Sequence, residues 1–346
     1  MRIAIDVMGG DHAPDVILTG ALAARDELGD RHEIVLVGDE GLIRDSLKEA
    51  GMGGDTRYQV YPTTQTVAMD ESPTSALRQK PDSSIAKWAW LGSKRAPDDL
   101  KCEVVISAGN TGACVAAAQM RMRRLPGVHR PGIAVTIPTF HGPLVICDVG
   151  ANIVPKPQHL HQYGVMASIY AAKTHRIDNP RVAMLSIGGE EGKGTDLIKE
   201  SSRLLREDKS VNYVGYVEGR NMFDDRCDVV VAEGFTGNVV LKLAEGLAAG
   251  LFKTIAHEIF EQDPELAMKF EPVVKTIYKK HDYHEYGGAP LLGANGTCMI
   301  CHGSSEARTI RAAVATAIRY VESGVNEAIV DRLGDTEVDG GDEVKA

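Results

Sequence analysis

The chain has 346 residues, 43% hydrophobic and 25% charged, the proportions of a globular protein with room for a large core. A formal net charge of −10 excludes nucleic-acid binding by bulk positive charge, leaving only a local basic patch open. No apolar run reaches the roughly 18 residues of a membrane span, and no leader-like apolar region follows Met1, so a cytoplasmic place is expected.

The first strand is expected over 2–7 and the first helix over 14–28. Strand 33–37, helix 41–50, strand 57–61 and helix 83–91 follow. Strand 104–107 leads to helix 112–125. The runs 132–137 and 143–147 read as a hairpin around Pro138–Gly142. Helix 158–173, strand 181–186, helix 195–208 and strand 212–216 continue the alternation. Strand 229–232, helix 238–260, strand 297–301 and helix 305–323 complete it. Short Val/Ile-rich strands alternating with helices define an α/β protein with a mainly parallel sheet. We take 1–334 as one α/β domain and the acidic residues from Asp335 as a flexible tail.

Residues 102–115 recur in degenerate form at 227–240, with Cys, three Val and the Gly-x-Thr-Gly frame in common. Each copy reads as a strand, a tight turn and a helix start, where unpaired N–H groups and the helix dipole favour anions. Polar Gly-rich loops also follow the other strands: Met8–Pro14, Asp148–Asn152, Gly188–Thr195 and His302–Ser305. If all lie at one end of the sheet, they share a cleft.

Several chemistries are disfavoured. The Lys193 loop lacks Walker spacing, no Gly-x-Gly-x-x-Gly follows the first strand, and no Gly-x-Ser-x-Gly elbow is present. No zinc-like cluster stands out, and neither metal nor organic cofactor is expected. Cys298-Met-Ile-Cys301-His302 has haem-attachment spacing, but 297–301 reads as a buried strand. What remains is direct displacement, with two substrates positioned and developing negative charge stabilised.

Met8-Gly-Gly-Asp-His-Ala-Pro, Ser107-Ala-Gly-Asn-Thr-Gly-Ala, Asp148-Val-Gly-Ala-Asn, Asp228-Val-Val-Val-Ala-Glu-Gly-Phe-Thr-Gly-Asn-Val and Tyr286-Gly-Gly-Ala-Pro-Leu-Leu-Gly occur in order. Together they resemble the bacterial phosphate acyltransferases, over residues 1 to about 330. The resemblance implies a three-layer Rossmann-like fold of the isocitrate/isopropylmalate dehydrogenase type, related to phosphotransacetylase. It implies transfer of a fatty acyl group from acyl-[acyl carrier protein] to orthophosphate, feeding phospholipid synthesis. An acyl-CoA donor and a non-catalytic carrier-binding or membrane scaffold are the alternatives.

For that reaction Lys193 is the expected phosphate cation and Asn238 the donor to the thioester oxygen. Asn110, Thr111, Gly112, His302, Ser304 and Ser305 are expected to cradle phosphate. Asp11 and His12 are candidates for orienting phosphate or moving a proton; an Asx-turn and a satisfied loop histidine are the plainer readings. Glu190 and Glu191 would repel phosphate unless they turn outward or pair with Lys193. Arg121, Arg123, Arg124, His129 and Arg130 form the densest basic run and the candidate dock for an acidic carrier protein. Residues 246–281 read as a helical hairpin broken near Asp263-Pro264, with Leu251, Ile255, Ile259, Phe270 and Ile277 on its apolar stripes. The resemblance implies a homodimer with peripheral membrane contact through this hairpin.

Overall fold

The computed structural model describes residues 1–262, 264–280 and 287–335. Its strands are β1 (Arg2–Asp6), β2 (Glu33–Gly38), β3 (Tyr58–Pro62), β4 (Val104–Ser107), β5 (Gly132–Thr139), β6 (Gly142–Cys147), β7 (Arg181–Leu185), β8 (Asn212–Val217), β9 (Val229–Val231), β10 (Ala289–Leu292) and β11 (Thr297–Ile300). The helices are α1 (Asp15–Ala23), α2 (Arg25–Leu28), α3 (Glu40–Glu49), α4 (Pro73–Gln79), α5 (Ser84–Leu91), α6 (Thr111–Arg121), α7 (Pro157–His175), α8 (Asp196–Glu207), α9 (Gly234–Gln262), α10 (Pro264–Lys280), α11 (Ala307–Glu322) and α12 (Val325–Leu333).

Local chemistry sets many boundaries. Asp39, Ser83, Asn110 and Thr195 each accept a first-turn N–H and start α3, α5, α6 and α8. The helix expected over 14–28 breaks at Ala24, whose N–H is shared between the carbonyls of Gly20 and Ala21. The short helices α4 and α12 and the strand β10 were not expected. A strand containing Pro290 after two glycines carries a loop-like sequence.

The sheet order is β3-β2-β1-β4-β11-β10-β5-β6-β9-β7-β8. Every neighbouring pair is parallel except β11–β10, β10–β5 and β5–β6. Those three reversals turn β6, β7, β8 and β9 opposite to β1, β2, β3, β4 and β11. The polar loops therefore do not leave one end of the sheet, as the sequence led us to expect. The registers nevertheless bring two sets of strand ends together. Ile300 at the end of β11 pairs with Ala289, Leu291 pairs with Ile133, and Cys147 at the end of β6 pairs with Ala134. The two parallel halves thus point their carboxyl ends at each other, at nearly the same height on the central strands.

Side-chain alternation sends Ile3 and Ile5 to one face and Ala4 to the other. The first face packs on α1, α7 and α11, with Ile17, Leu160, Met166, Ile310 and Val314. The second packs on α5 and α6, with Trp88, Ala113 and Ala117. Helices on both faces make the three layers expected. Gly20 lets α1 lie against α11, where a Cβ would stand 2.5 Å from the Ala307 carbonyl oxygen.

All six cysteines are buried free thiols. Burial pushes Cys298 well above its ordinary range and Cys301 up to about 12. Residues 297–300 form strand β11, as expected, and the two sulfurs belong to the core.

Candidate active site

A cleft of about 280 Å³ lies over the junction of the two half-sheets. The first half contributes Asp11, Thr111, His302 and Ser305; the second contributes Gly150. Its wall on β5 is Ile133, Ala134 and Val135, with Ala289 and Ile300 opposite. Here β5 runs past the end of its pairing with β10, which leaves an apolar opening between them.

A buried aspartate fixes each half. Asp6 accepts the Ser107 hydroxyl at 2.7 Å and the Met8 N–H at 3.2 Å, so it ties the loop after β1 to the loop after β4. Burial raises its carboxyl above the usual range. Asp148 accepts N–H bonds from Ile133 at 2.9 Å, Ala151 at 3.1 Å and Asn152 at 2.7 Å. Burial pushes it up to about 6, with these N–H groups opposing the rise.

The two repeat copies fold differently. In the first, Asn110, expected as a phosphate ligand, caps α6. In the second, Gly234-Phe-Thr-Gly237 is not a turn but the opening of α9, with the Gly237 N–H bonded to the Glu233 carbonyl at 2.9 Å. Its glycines serve close packing. A Cβ on Gly237 would lie 2.1 Å from the Asp148 carbonyl oxygen, and one on Gly234 would lie 2.5 Å from that of Asn152. Helix α9 therefore starts jammed against the loop after β6 and crosses toward the other half. Asn238, Leu241, Lys242 and Glu245 form its cleft-facing stripe, at helical spacing. Asn238 stands beside Gly150, whose Cβ position is 3.8 Å from the Asn238 side chain.

At the far side, Lys242 Nζ lies 2.5 Å from His302 Nε2, and His302 Nδ1 lies 2.7 Å from Ser304 Oγ. This link joins α9 to the loop after β11. Next to it begins α11, whose N-cap Glu306 makes no side-chain cap bond. Ser305 and Thr309 line the cleft, and their hydroxyls are buried with no protein partner. Two such hydroxyls at a helix N-terminus form a cradle suited to an oxyanion.

The residues singled out in the sequence divide accordingly. Asp11, Thr111, Asn238, His302 and Ser305 line the cleft, with Ser304 bonded to His302. Asn110 does not offer its side chain. Its Oδ1 caps Ala113, and its Nδ2 donates to the carbonyls of Met69 at 2.9 Å and Glu71 at 3.1 Å. Gly112 instead packs α6 on Pro73, where a Cβ would stand 2.7 Å from the ring. His12 is exposed and does not line the cleft. Lys193 is also exposed and outside the cleft lining, because its loop follows β7, two strands beyond β6. Glu191 pairs with Arg206 at 2.8 Å rather than with Lys193, and Glu190 is exposed.

Of the basic run, Arg124 donates to the His129 carbonyl at 2.7 Å and His129 is buried, leaving Arg123 the exposed member. Lys242, Glu245 and Thr309 were missed. Lys242 stands four residues after Asn238, a spacing that places both on one helical face. The helix expected over 238–260 already holds both residues, but only the fold shows that this face meets the cleft.

Among solved structures, the fold is similar to a phosphotransacetylase from Streptococcus pyogenes, with a TM-score of 0.63 and 17% identity over 93% of this chain and 94% of that one. It is also similar to 4-hydroxythreonine-4-phosphate dehydrogenase from Klebsiella pneumoniae, with a TM-score of 0.52 and 12% identity over 92% and 99% of the two chains. The fold class is thus that of the phosphotransacetylases. A family model described as "Fatty acid synthesis protein" matches residues 1–328. The chain is 43% identical to a phosphate acyltransferase of Heliobacterium modesticaldum, covering 96% of this chain and 98% of that relative. It is 41% identical to one of Geobacter sulfurreducens, covering 96% and 94%. The chain belongs to the phosphate acyltransferase family.

Proposed function

We propose that this protein transfers a fatty acyl group from acyl-[acyl carrier protein] to orthophosphate, making acyl phosphate for phospholipid synthesis. The observation that carries the reading is the pair of unpartnered buried hydroxyls, Ser305 and Thr309, at the start of α11, on residues lining the same apolar-walled cleft as Asn238. Phosphate sits on the α11 end with Ser304 and His302, while Asn238 Nδ2 donates to the thioester oxygen. Thr111 completes the cradle, and Asp11 orients the phosphate. One phosphate oxygen bonds to the carbonyl carbon, the carbon–sulfur bond breaks, and the proton carried by phosphate ends on the released thiol. Orthophosphate is itself the nucleophile, so no covalent enzyme intermediate is needed. The apolar opening beside β5 takes the start of the acyl chain.

The test is incubation with palmitoyl-carrier protein and phosphate, with hydroxylamine to trap acyl phosphate. Hydroxamate is expected from the carrier-protein donor well above that from palmitoyl-CoA. Equal or greater yield from the CoA thioester would move the donor assignment, and no hydroxamate from either would sink the enzyme reading.

The carrier protein is assigned to the surface bearing Arg121, Arg123, Arg124 and Arg130. The hairpin of α9 and α10 is assigned to a second copy of this chain and, peripherally, to an anionic membrane surface. The two helices pack on each other, yet Leu247, Leu251, Ile255 and Phe270 remain exposed, Leu247 at 68%. Ile259 is half-buried, and the side chain of Ile277 lies outside the described residues. No helix among the described residues is long and apolar enough to cross a membrane. Replacing Leu247 and Leu251 together by Asp is expected to halve the mass seen by light scattering and to weaken sedimentation with anionic vesicles. An unchanged mass would remove the hairpin from the dimer contact.

A further inference from the structure

Lys242 is the one lysine or arginine lining the cleft among the described residues. It shares that cleft with two carboxylates, Asp11 and Glu245. A dianion entering there meets a negative surround unless a cation is fixed nearby. An exposed lysine ordinarily samples many rotamers, and holding one costs side-chain entropy. Lys242 is held at its tip by His302, which is held in turn by Ser304. An ammonium carries donors only, so His302 Nε2 accepts from it, while Nδ1 lies 2.7 Å from Ser304 Oγ and 3.3 Å from the Ser304 backbone nitrogen. Two ammonium protons remain for a ligand. The Ser304 and Ser305 end of this chain is the start of α11, where the unpartnered hydroxyls lie.

We propose that Lys242 is a catalytic residue: its ammonium contacts orthophosphate seated on Ser305 and Thr309. It remains in place as negative charge moves from phosphate to the carbonyl oxygen and then to the departing sulfur. The role rests on the reading of this cleft as a site of acyl transfer to phosphate, and it places the cation on α9 rather than on the Lys193 loop. His302 acts as a positioning residue, since its ring fixes the ammonium.

The experiment compares Lys242→Met and Lys242→Arg with the unaltered protein. Inorganic phosphate alone is titrated calorimetrically, and acyl phosphate formation is measured at varied phosphate. Lys242 is exposed, so Met is expected to leave the unfolding midpoint in chloride unchanged. Met should raise the Kd for phosphate at least tenfold and lower kcat/KM for phosphate by about two orders of magnitude. Arg should recover part of the binding. His302→Asn should raise KM for phosphate less than Met does at 242. Phosphate affinity within twofold of the unaltered protein in Lys242→Met overturns the proposal, and so does absence of phosphate binding by the unaltered protein. Binding that depends on Lys242 in a protein that forms no acyl phosphate leaves the anion site standing and removes the acyl-transfer reading instead.

Discussion

Asn238→Ala is expected to lower kcat by about 100-fold, the usual effect of removing one oxyanion donor. KM for the acyl donor should change little, because the lost bond strengthens as charge develops on the carbonyl oxygen. Stability should hold. Asn238 is half-buried on a helix whose start is fixed by Gly234 and Gly237 against the loop after β6, not by the Asn side chain. The informative measurement is a phosphate-saturated assay beside a thermal melt. A fall in activity that tracks a lowered melting temperature assigns Asn238 to folding. Unchanged turnover removes it from the carbonyl.

Asp148→Ala should destabilise the protein by about 3–5 kcal/mol, since it strands the buried N–H groups of Ile133, Ala151 and Asn152 and opens a cavity. The loss should depend on pH in a definite direction. The folded-state pKa of about 6 lies above the unfolded value near 4, so between those limits the folded protein holds the extra proton. This group's contribution is therefore greatest in acid and declines as pH rises through 6. The gap between native protein and variant should widen by roughly 1 kcal/mol from pH 8 to pH 5, within a full span of roughly 3 kcal/mol. Urea unfolding at the two pH values checks this. A gap that narrows toward acid would show the N–H donors outweighing burial. Acyl transfer should also fall in the variant, because the same carboxylate holds the loop carrying Gly150 against the start of α9.

The α/β class, the helix cap at Thr195, and buried β11 were legible because each rests on local chemistry: apolar periodicity, a capping side chain, an apolar run. β10 was not, because a four-residue strand with a proline is held by its neighbours rather than by its own propensity. The second Gly-x-Thr-Gly copy misled for a related reason. Glycine marks a positive φ, a turn or a close approach alike, and only the distance from Gly237 to Asp148 decides which. Asn110 shows the same limit in a side chain. Read as a phosphate ligand, it instead caps α6, and its amide bonds reach residues about 40 positions away.

The sequence by itself determined the fold class, the family and five of the cleft residues: Asp11, Thr111, Asn238, His302 and Ser305. It could do so because motifs and periodicity are properties of short segments. Tertiary structure alone decided that the sheet reverses through β10, β5 and β6, so that loops from opposite strand ends meet. It also decided that α9 bridges them, that Lys242 rather than Lys193 lines the cleft, and that Ser305 and Thr309 lack partners. Those facts depend on pairing register and on contacts between segments far apart in the chain, which no local pattern encodes.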